Sequence, residues 1–293
     1  MDLQLLIDIF PQVLLDGIIL GFMYALIALG YTMVYGVLEF INFAHSEIFI
    51  IGAFVGVEIL LTLRSAGLFE GLPWPLVLLL ILVAGMAVSG VLAVTVERVA
   101  YRPLRTAPRL IPLISAIGVS FFLQDLIRLV ESVWRNEFNL VYPTMDALNH
   151  RFELTATIDV SVKSIVVIVA ALLMLWVLHL LVNRTKIGSG AMGGAAGVLF
   201  GVQYGLINPY SGFIPGLKAF TAAVLGGIGN IPGAMIGGIV LGLLEAFAAS
   251  YLSLLTGGAF GAEYKDIFAF SVLILILIFR PKGLLGEIVR ERA

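Results

Sequence analysis

Few residues in this chain have the type and spacing to do chemistry. It contains no cysteine, which excludes disulfides, thiolate metal sites and a cysteine nucleophile. His45, His150 and His179 are scattered and none belongs to an HExxH pair, and no GxSxG marks an activated serine, so neither a metal site nor a hydrolase is predicted. No lysine completes a GxxxxGK[ST] phosphate loop; ATP hydrolysis by that route is excluded. The run Gly227-Ile-Gly229-Asn-Ile-Pro232 lacks the final glycine of a dinucleotide fingerprint and follows no soluble strand. No catalytic residue and no cofactor is therefore expected. What remains is a set of carboxylates inside long apolar stretches: Glu47, Glu58, Asp125 and Glu245. A charge at the centre of a bilayer costs about 2.5–3.5 kcal/mol on insertion scales, so each needs a reason to be there. Glu58 and Asp125 lie near the ends of their stretches, which favours solvation or pairing, and Asp125 is three residues before Arg128 on one helical face. Glu245 is deeper, and structural and functional roles both stay open. The polar residues that could line a path are Asn42, His45, Glu47, Gln203, Asn230 and Glu245, although those at span ends equally well cap helices.

The elements that must position these groups are membrane spans. Hydrophobic residues make up 60% of the chain and charged ones 12%, against about 25% charged in an ordinary soluble domain. The mean hydropathy is +1.08. The expected fold is an all-α polytopic helix bundle of about eight spans, forming one transmembrane domain over 1–293, with the lipid bilayer as partner and no nucleic acid. The acidic start, Asp2, Asp8 and Asp16, lacks the positive region of a cleavable signal peptide, so the first span is expected to be retained. Apolar runs occupy 13–38, 48–63, 74–96, 110–130, 162–182, 188–207 and 267–279, and Asn42 or Ser46 is expected to cap the second. The last carries Glu263, Lys265 and Asp266 at its entry, and spans only if those charges snorkel outward. Residues 131–161 form the longest polar segment, expected as an external loop.

The stretch 217–256 is too long for one pass and is broken by glycines and a proline: Gly226, Gly227, Gly229, Pro232, Gly233 and Gly237. Irregular backbone survives in a membrane only where protein buries it or an aqueous cavity meets it. The break thus marks either a pathway or a tight helix crossing, with Gly229, Gly233 and Gly237 as a small-residue stripe. Ten of the 17 basic residues fall in 98–109, 184–186 and 280–292, which by the positive-inside rule face the cytoplasm. The N-terminus is then external and the C-terminus cytoplasmic. Parity requires 217–256 to leave and return on one side, as a re-entrant loop or a double crossing.

Three motifs, INFAHSEIFIIGAF (41–54), AAVLGGIGNIPGAMIGGIVLGLLE (222–245) and FRPKGLLGE (279–287), resemble the smaller permease subunit of bacterial importers for branched-chain amino acids, energised by ATP-binding-cassette subunits. The resemblance implies a translocation subunit in the inner membrane, working with a second homologous permease, two cytoplasmic ATPases and an external solute-binding protein. Related permeases serve urea and short amides, and a passive uniporter or channel is the rival reading from another class. Members of the family place a coupling segment between the fifth and sixth spans. Here that place holds only NRTKIGSGAMGGAAG, 183–197, so the segment and the first turns of span six are expected to be missing.

Overall fold

Within a membrane the backbone must pair with itself, and long apolar runs therefore become helices. The computed structural model describes residues 3–38, 42–104, 107–108, 110–155, 157–181 and 186–286. In chain order the helices are α1 (Leu3–Leu38), α2 (His45–Ser65), α3 (Trp74–Val96), α4 (Leu110–Trp134), α5 (Asp146–Asn149), α6 (Val162–Leu181), α7 (Lys186–Tyr204), α8 (Phe213–Gly226), α9 (Ile231–Leu255) and α10 (Lys265–Phe279). Pro73 precedes α3 and Pro75 sits in its first turn, where a missing N–H costs nothing, and this sets the start that the sequence predicts. A π-turn, Glu97–Tyr101, and a 3-10 turn, Arg102–Leu104, follow α3.

Among the described residues five helices are long and apolar enough to cross a membrane: those within α1, α2, the α3 run, α4 and α9. At 1.5 Å per residue, α8 with its 14 residues is shorter than a hydrocarbon core of about 30 Å. The bundle is helical and membrane-type, while a count of eight would rest on the shorter helices. Two expectations need correction. Helix α1 begins at Leu3, ten residues before the predicted span. The cap position of α2 is Ala44, with no side-chain cap, and Asn42 instead accepts from the Ala44 N–H at 3.1 Å. Within the polar segment 131–161, strands β2 (Arg151–Thr155) and β3 (Ile158–Ser161) form an antiparallel hairpin, and β1 (Leu140–Val141) pairs with β4 (Leu206–Ile207) just after α7.

Glycines set the helix spacing. Helices α1 and α9 run antiparallel in such close contact that a Cβ on Gly21 would strike the Ile239 backbone, and one on Gly242 would strike Gly21. Helix α7 lies parallel to α2, with Gly194 against Gly52 and Gly197 against the Phe49 carbonyl. Small residues let backbones meet, and dispersion and weak polar contacts replace the hydrophobic drive that lipid does not supply. The directions of these helices place the end of α1, the start of α2, the turn after α3, the start of α7 and the end of α8 at one end of the bundle. The strands lie at the other.

The chain reverses between α8 and α9. Gly227 and Gly229 adopt φ of 108° and 90°, which side chains disfavour, and Pro232 opens α9. Of the expected stripe, Gly233 and Gly237 face Gly226 and Ala222 of α8, while a second pair that the stripe did not include, Gly238 and Gly242, faces α1. Gly229 belongs to neither, standing in the turn with open space where a Cβ would point.

Candidate functional site

Two buried polar clusters and one backbone junction result. The first sits at the start of α2. Asn42 Oδ1 accepts from the Tyr101 hydroxyl at 2.6 Å, which ties the turn to the end of the α3 run. Glu47 is fully buried, and its Oε1 accepts from Ser46, Ser120 and Gln124, each at 3.0 Å. Ser120 and Gln124 are four apart and so project from one face of α4. Three donors on one oxygen offset part of the cost of burying this carboxylate. His45 is also fully buried, edge-on to Tyr31 at 4.8 Å, and beneath Gly30 and Gly193. Neither of its ring nitrogens has a hydrogen-bond partner among the described residues.

The second cluster joins four helices. Lys218 of α8 contacts Glu245 of α9 at 2.8 Å and Asp266 of α10 at 2.7 Å, and Lys265 contacts the same Glu245 oxygen at 3.0 Å. The Tyr24 hydroxyl of α1 donates to the other Glu245 oxygen at 2.6 Å. Two cations and two carboxylates balance, and Lys218 and Glu245 are both buried. The last apolar run spans only if its entry charges snorkel outward; Lys265 and Asp266 instead pair within this cluster, which offers each an opposite charge that lipid would not.

The junction lies at the α8–α9 break. Asn230 caps α9 by accepting from the Gly233 N–H at 2.8 Å, and its Nδ2 donates to the Leu285 carbonyl at 2.9 Å. Leu284 and Leu285 N–H groups donate to the Leu225 and Gly226 carbonyls at 2.7 and 2.9 Å. The last carbonyls of α8, which the helix itself leaves unpaired, are thus satisfied by the segment after α10. Gln203 lies apart near the end of α7, where its backbone carbonyl accepts from Lys163 at 3.2 Å and its side-chain oxygen has no partner among the described residues. The six candidates therefore do not converge: Asn42, His45 and Glu47 share one cluster, Glu245 anchors a second, Asn230 forms the junction and Gln203 stands alone.

At the strand end Arg135 makes a two-pronged ion pair with Glu58, one contact at 2.7 Å, and this partner raises the guanidinium pKa further. Asp125 pairs with Arg128 at 3.1 Å as the spacing predicts. Sequence reasoning missed Lys218, although a lysine in an apolar stretch 27 residues before Glu245 was a readable signal. It also missed Ser120 and Gln124, which composition does not distinguish from filler. Among the described residues no cluster of three metal-ligating side chains exists. Residues 182–185, at the expected gap, lie outside the described residues; α7 begins at Lys186 and runs 19 residues.

A family model described as the branched-chain amino acid transport system / permease component matches residues 13–189 and 187–277. The chain is 40% identical to the high-affinity branched-chain amino acid transport system permease protein BraD of Pseudomonas aeruginosa, covering 94% of this chain and 95% of that one. It is likewise 40% identical to the corresponding Escherichia coli K12 protein, LivH, over 95% and 96% of the two chains. A probable branched-chain amino acid transport permease protein LivH of Methanocaldococcus jannaschii is 25% identical over 96% and 95%. The BraD alignment spans 308 positions, more than the 293 residues available here, so that relative carries residues with no counterpart in this chain. No solved structure matches the chain.

Proposed function

We propose a role for this chain on one premise: it belongs to the family of branched-chain amino acid transport permease components. It is a multi-pass membrane permease subunit of an importer of the ATP-binding-cassette type. The substrate we assign is a branched-chain or related small amino acid, with ATP hydrolysis in separate partner chains, two cytoplasmic ATPases. A second homologous permease and an external solute-binding protein complete the complex. Similarity over almost the whole length of the relatives carries this reading. The packing supports it, since two of the three motifs that resemble the family, 222–245 and 279–287, meet through Asn230, Leu284 and Leu285. Orientation follows the basic residues: Arg98, Arg102, Lys186, Arg280 and Lys282 belong to the non-strand end, which we assign to the cytoplasm.

The reading includes a defect in coupling. The family model matches in two pieces that meet at 187–189, and a relative has residues absent here. Both observations support loss of the coupling segment between α6 and α7, leaving the turn after α3, the stub before α7 and the tail as ATPase-facing surfaces. Copurification tests the assignment: native complexes captured through this chain should contain two nucleotide-binding subunits, and a chain isolated with no ATPase would favour a passive channel. Uptake of labelled leucine into proteoliposomes with partners, ATP and binding protein tests the defect. Little uptake is expected until a family-like segment is restored between Gly188 and Met192; full uptake by the unmodified chain would refute it.

A further inference from the structure

We infer that Asp125 and Arg128, with Tyr210 beside them, form a passage site on this subunit that receives the ammonium and carboxylate of a zwitterionic amino acid. The inference rests on the amino-acid reading above and adds a place for the substrate.

Depth is the first observation. Helix α4, 25 residues long, has its midpoint at Phe122. Asp125 and Arg128 lie three and six residues further, about 4.5 and 9 Å along the axis, inside a half-thickness of about 15 Å. Gln124 meets Glu47 and Arg135 meets Glu58, so α2 and α4 run side by side and parallel. The pair is level with Ile48–Ile51 in the second turn of α2, about 6 to 10 Å from that helix's midpoint at Val55 and inside the same half-thickness.

Exposure is the second. The buried stripe of α4 runs through Ala116, Ser120, Gln124, Ile127 and Glu131, and the charged pair lies to one side of it. Asp125 is 72% exposed and Arg128 45%. Two charges open to hydrocarbon at this depth would cost about 2.5–3.5 kcal/mol each, so this side of α4 does not face lipid.

The third observation comes from another part of the chain. After β4 the segment Asn208–Gly212 is not helical, yet Gly212 packs against the Ser46 carbonyl and Ile50, level with the same turns of α2. Irregular backbone at this depth borders protein or water, not lipid. Its Tyr210 ring lies 5.7 Å from the Arg128 guanidinium, with the Phe138 ring at 5.9 Å. The two features that lipid would penalise are thus neighbours, and they front a common space.

The chemistry selects the occupant. One carboxylate and one guanidinium, each with unshared faces, complement an α-ammonium and an α-carboxylate held a few ångströms apart. The exposed Phe121 offers apolar surface for an aliphatic side chain. An uncharged amide would engage the pair less completely.

The test needs no ATP turnover. In this cysteine-free chain, Phe121→Cys, Ser132→Cys or Tyr210→Cys leaves the charged pair intact and reports on the space beside it. In membranes with the partner permease present, all three should react with a small charged thiosulfonate, whereas Leu126→Cys and Val130→Cys, about 100° and 140° around α4 from Asp125, should not. Millimolar leucine should slow the reaction at 121 at least threefold. Asp125→Asn or Arg128→Gln in the same background should abolish that protection, read as the ratio of rates with and without leucine in each background, since the lost charge itself alters the rate with a charged reagent. Absence of labelling at 121 and 132 would overturn the proposal in favour of a dry contact with the partner. Labelling that leucine does not slow would overturn the ligand assignment, even if copurified ATPases uphold the importer reading.

Discussion

Lys218 offers the sharpest test of how α8 is held. Its ammonium bridges Glu245 and Asp266, so Lys218→Met converts a balanced set of two cations and two carboxylates into one cation and two carboxylates. Removing one partner of a buried ion pair costs about 3–5 kcal/mol, because the charge left behind has already lost its water. The lower end applies, about 3 kcal/mol, since Glu245 keeps Lys265 and the Tyr24 hydroxyl. At roughly 2–4 °C per kcal/mol the melting temperature in detergent should fall by about 6–12 °C. Asp266 is half-buried, so Asp266→Asn alone should cost less, about 1–2 kcal/mol.

The double variant carries the argument. With both Lys218 and Asp266 neutralised, Lys265 and Glu245 remain as a matched pair. The combined cost should then stay near that of Lys218→Met alone, a coupling of at least about 1 kcal/mol, in the range found for contacting residues. Melting curves of the four proteins in one detergent measure it. Costs that add to within about 0.5 kcal/mol would mean that the two groups do not interact, and that α10 is not tied to α8 through this lysine.

Other expectations follow from particular contacts. Gly238→Leu, which would drive a side chain into the Ala25 backbone, should cost more than about 3 kcal/mol by overpacking and backbone displacement, whereas Gly229→Ala, in open space but at positive φ, should cost about 1 kcal/mol; equal melting temperatures would undo that distinction. Gln124→Ala should destabilise by about 1–2 kcal/mol, because Glu47 loses one of its three donors, and thermal unfolding measures this. Single cysteines at Arg102 and Lys282 should be protected from an impermeant reagent in intact cells while one at Asn149 reacts; labelling from outside at 102 would invert the assigned topology.

What could be read in advance follows the range of the forces. The bounds of α3 were legible because Pro73 and Pro75 fix the start and Glu97 follows the apolar run. The reversal near Gly229 and Pro232 was legible for the same reason: backbone chemistry is local. The start of α1 was not, since Asp8 lowers the hydropathy there, yet a helix can extend past the lipid edge, where Gln12 meets Asp159 of β3. The divided roles of Gly233/Gly237 and Gly238/Gly242 needed two neighbours, α8 and α1, whose positions no local pattern encodes. Lys218 barely changes the averaged hydropathy of its 14-residue helix, so it is readable only when the charged residues are taken one by one beside Glu245.

The same contrast bears on which charges belong to the frame and which to the passage. Glu245 drew attention from sequence as a deep carboxylate, but in the fold its oxygens are taken by Lys218, Lys265 and Tyr24. Groups so fully paired hold helices in register, and a substrate would have to break those contacts to use them. Glu47 commits one oxygen, Oε1, to Ser46, Ser120 and Gln124, while its buried Oε2 has no partner among the described residues. Asp125 and Arg128, set aside in the sequence as a pair near a helix end, keep most of the carboxylate and much of the guanidinium exposed at membrane depth. A permease needs contacts weak enough to release its cargo, so an exposed pair in a wet space suits passage better than a buried one. Neutralising Glu245 should therefore act on stability, and neutralising Asp125 on leucine protection at position 121 with melting nearly unchanged. The reverse pattern would assign passage to the buried cluster.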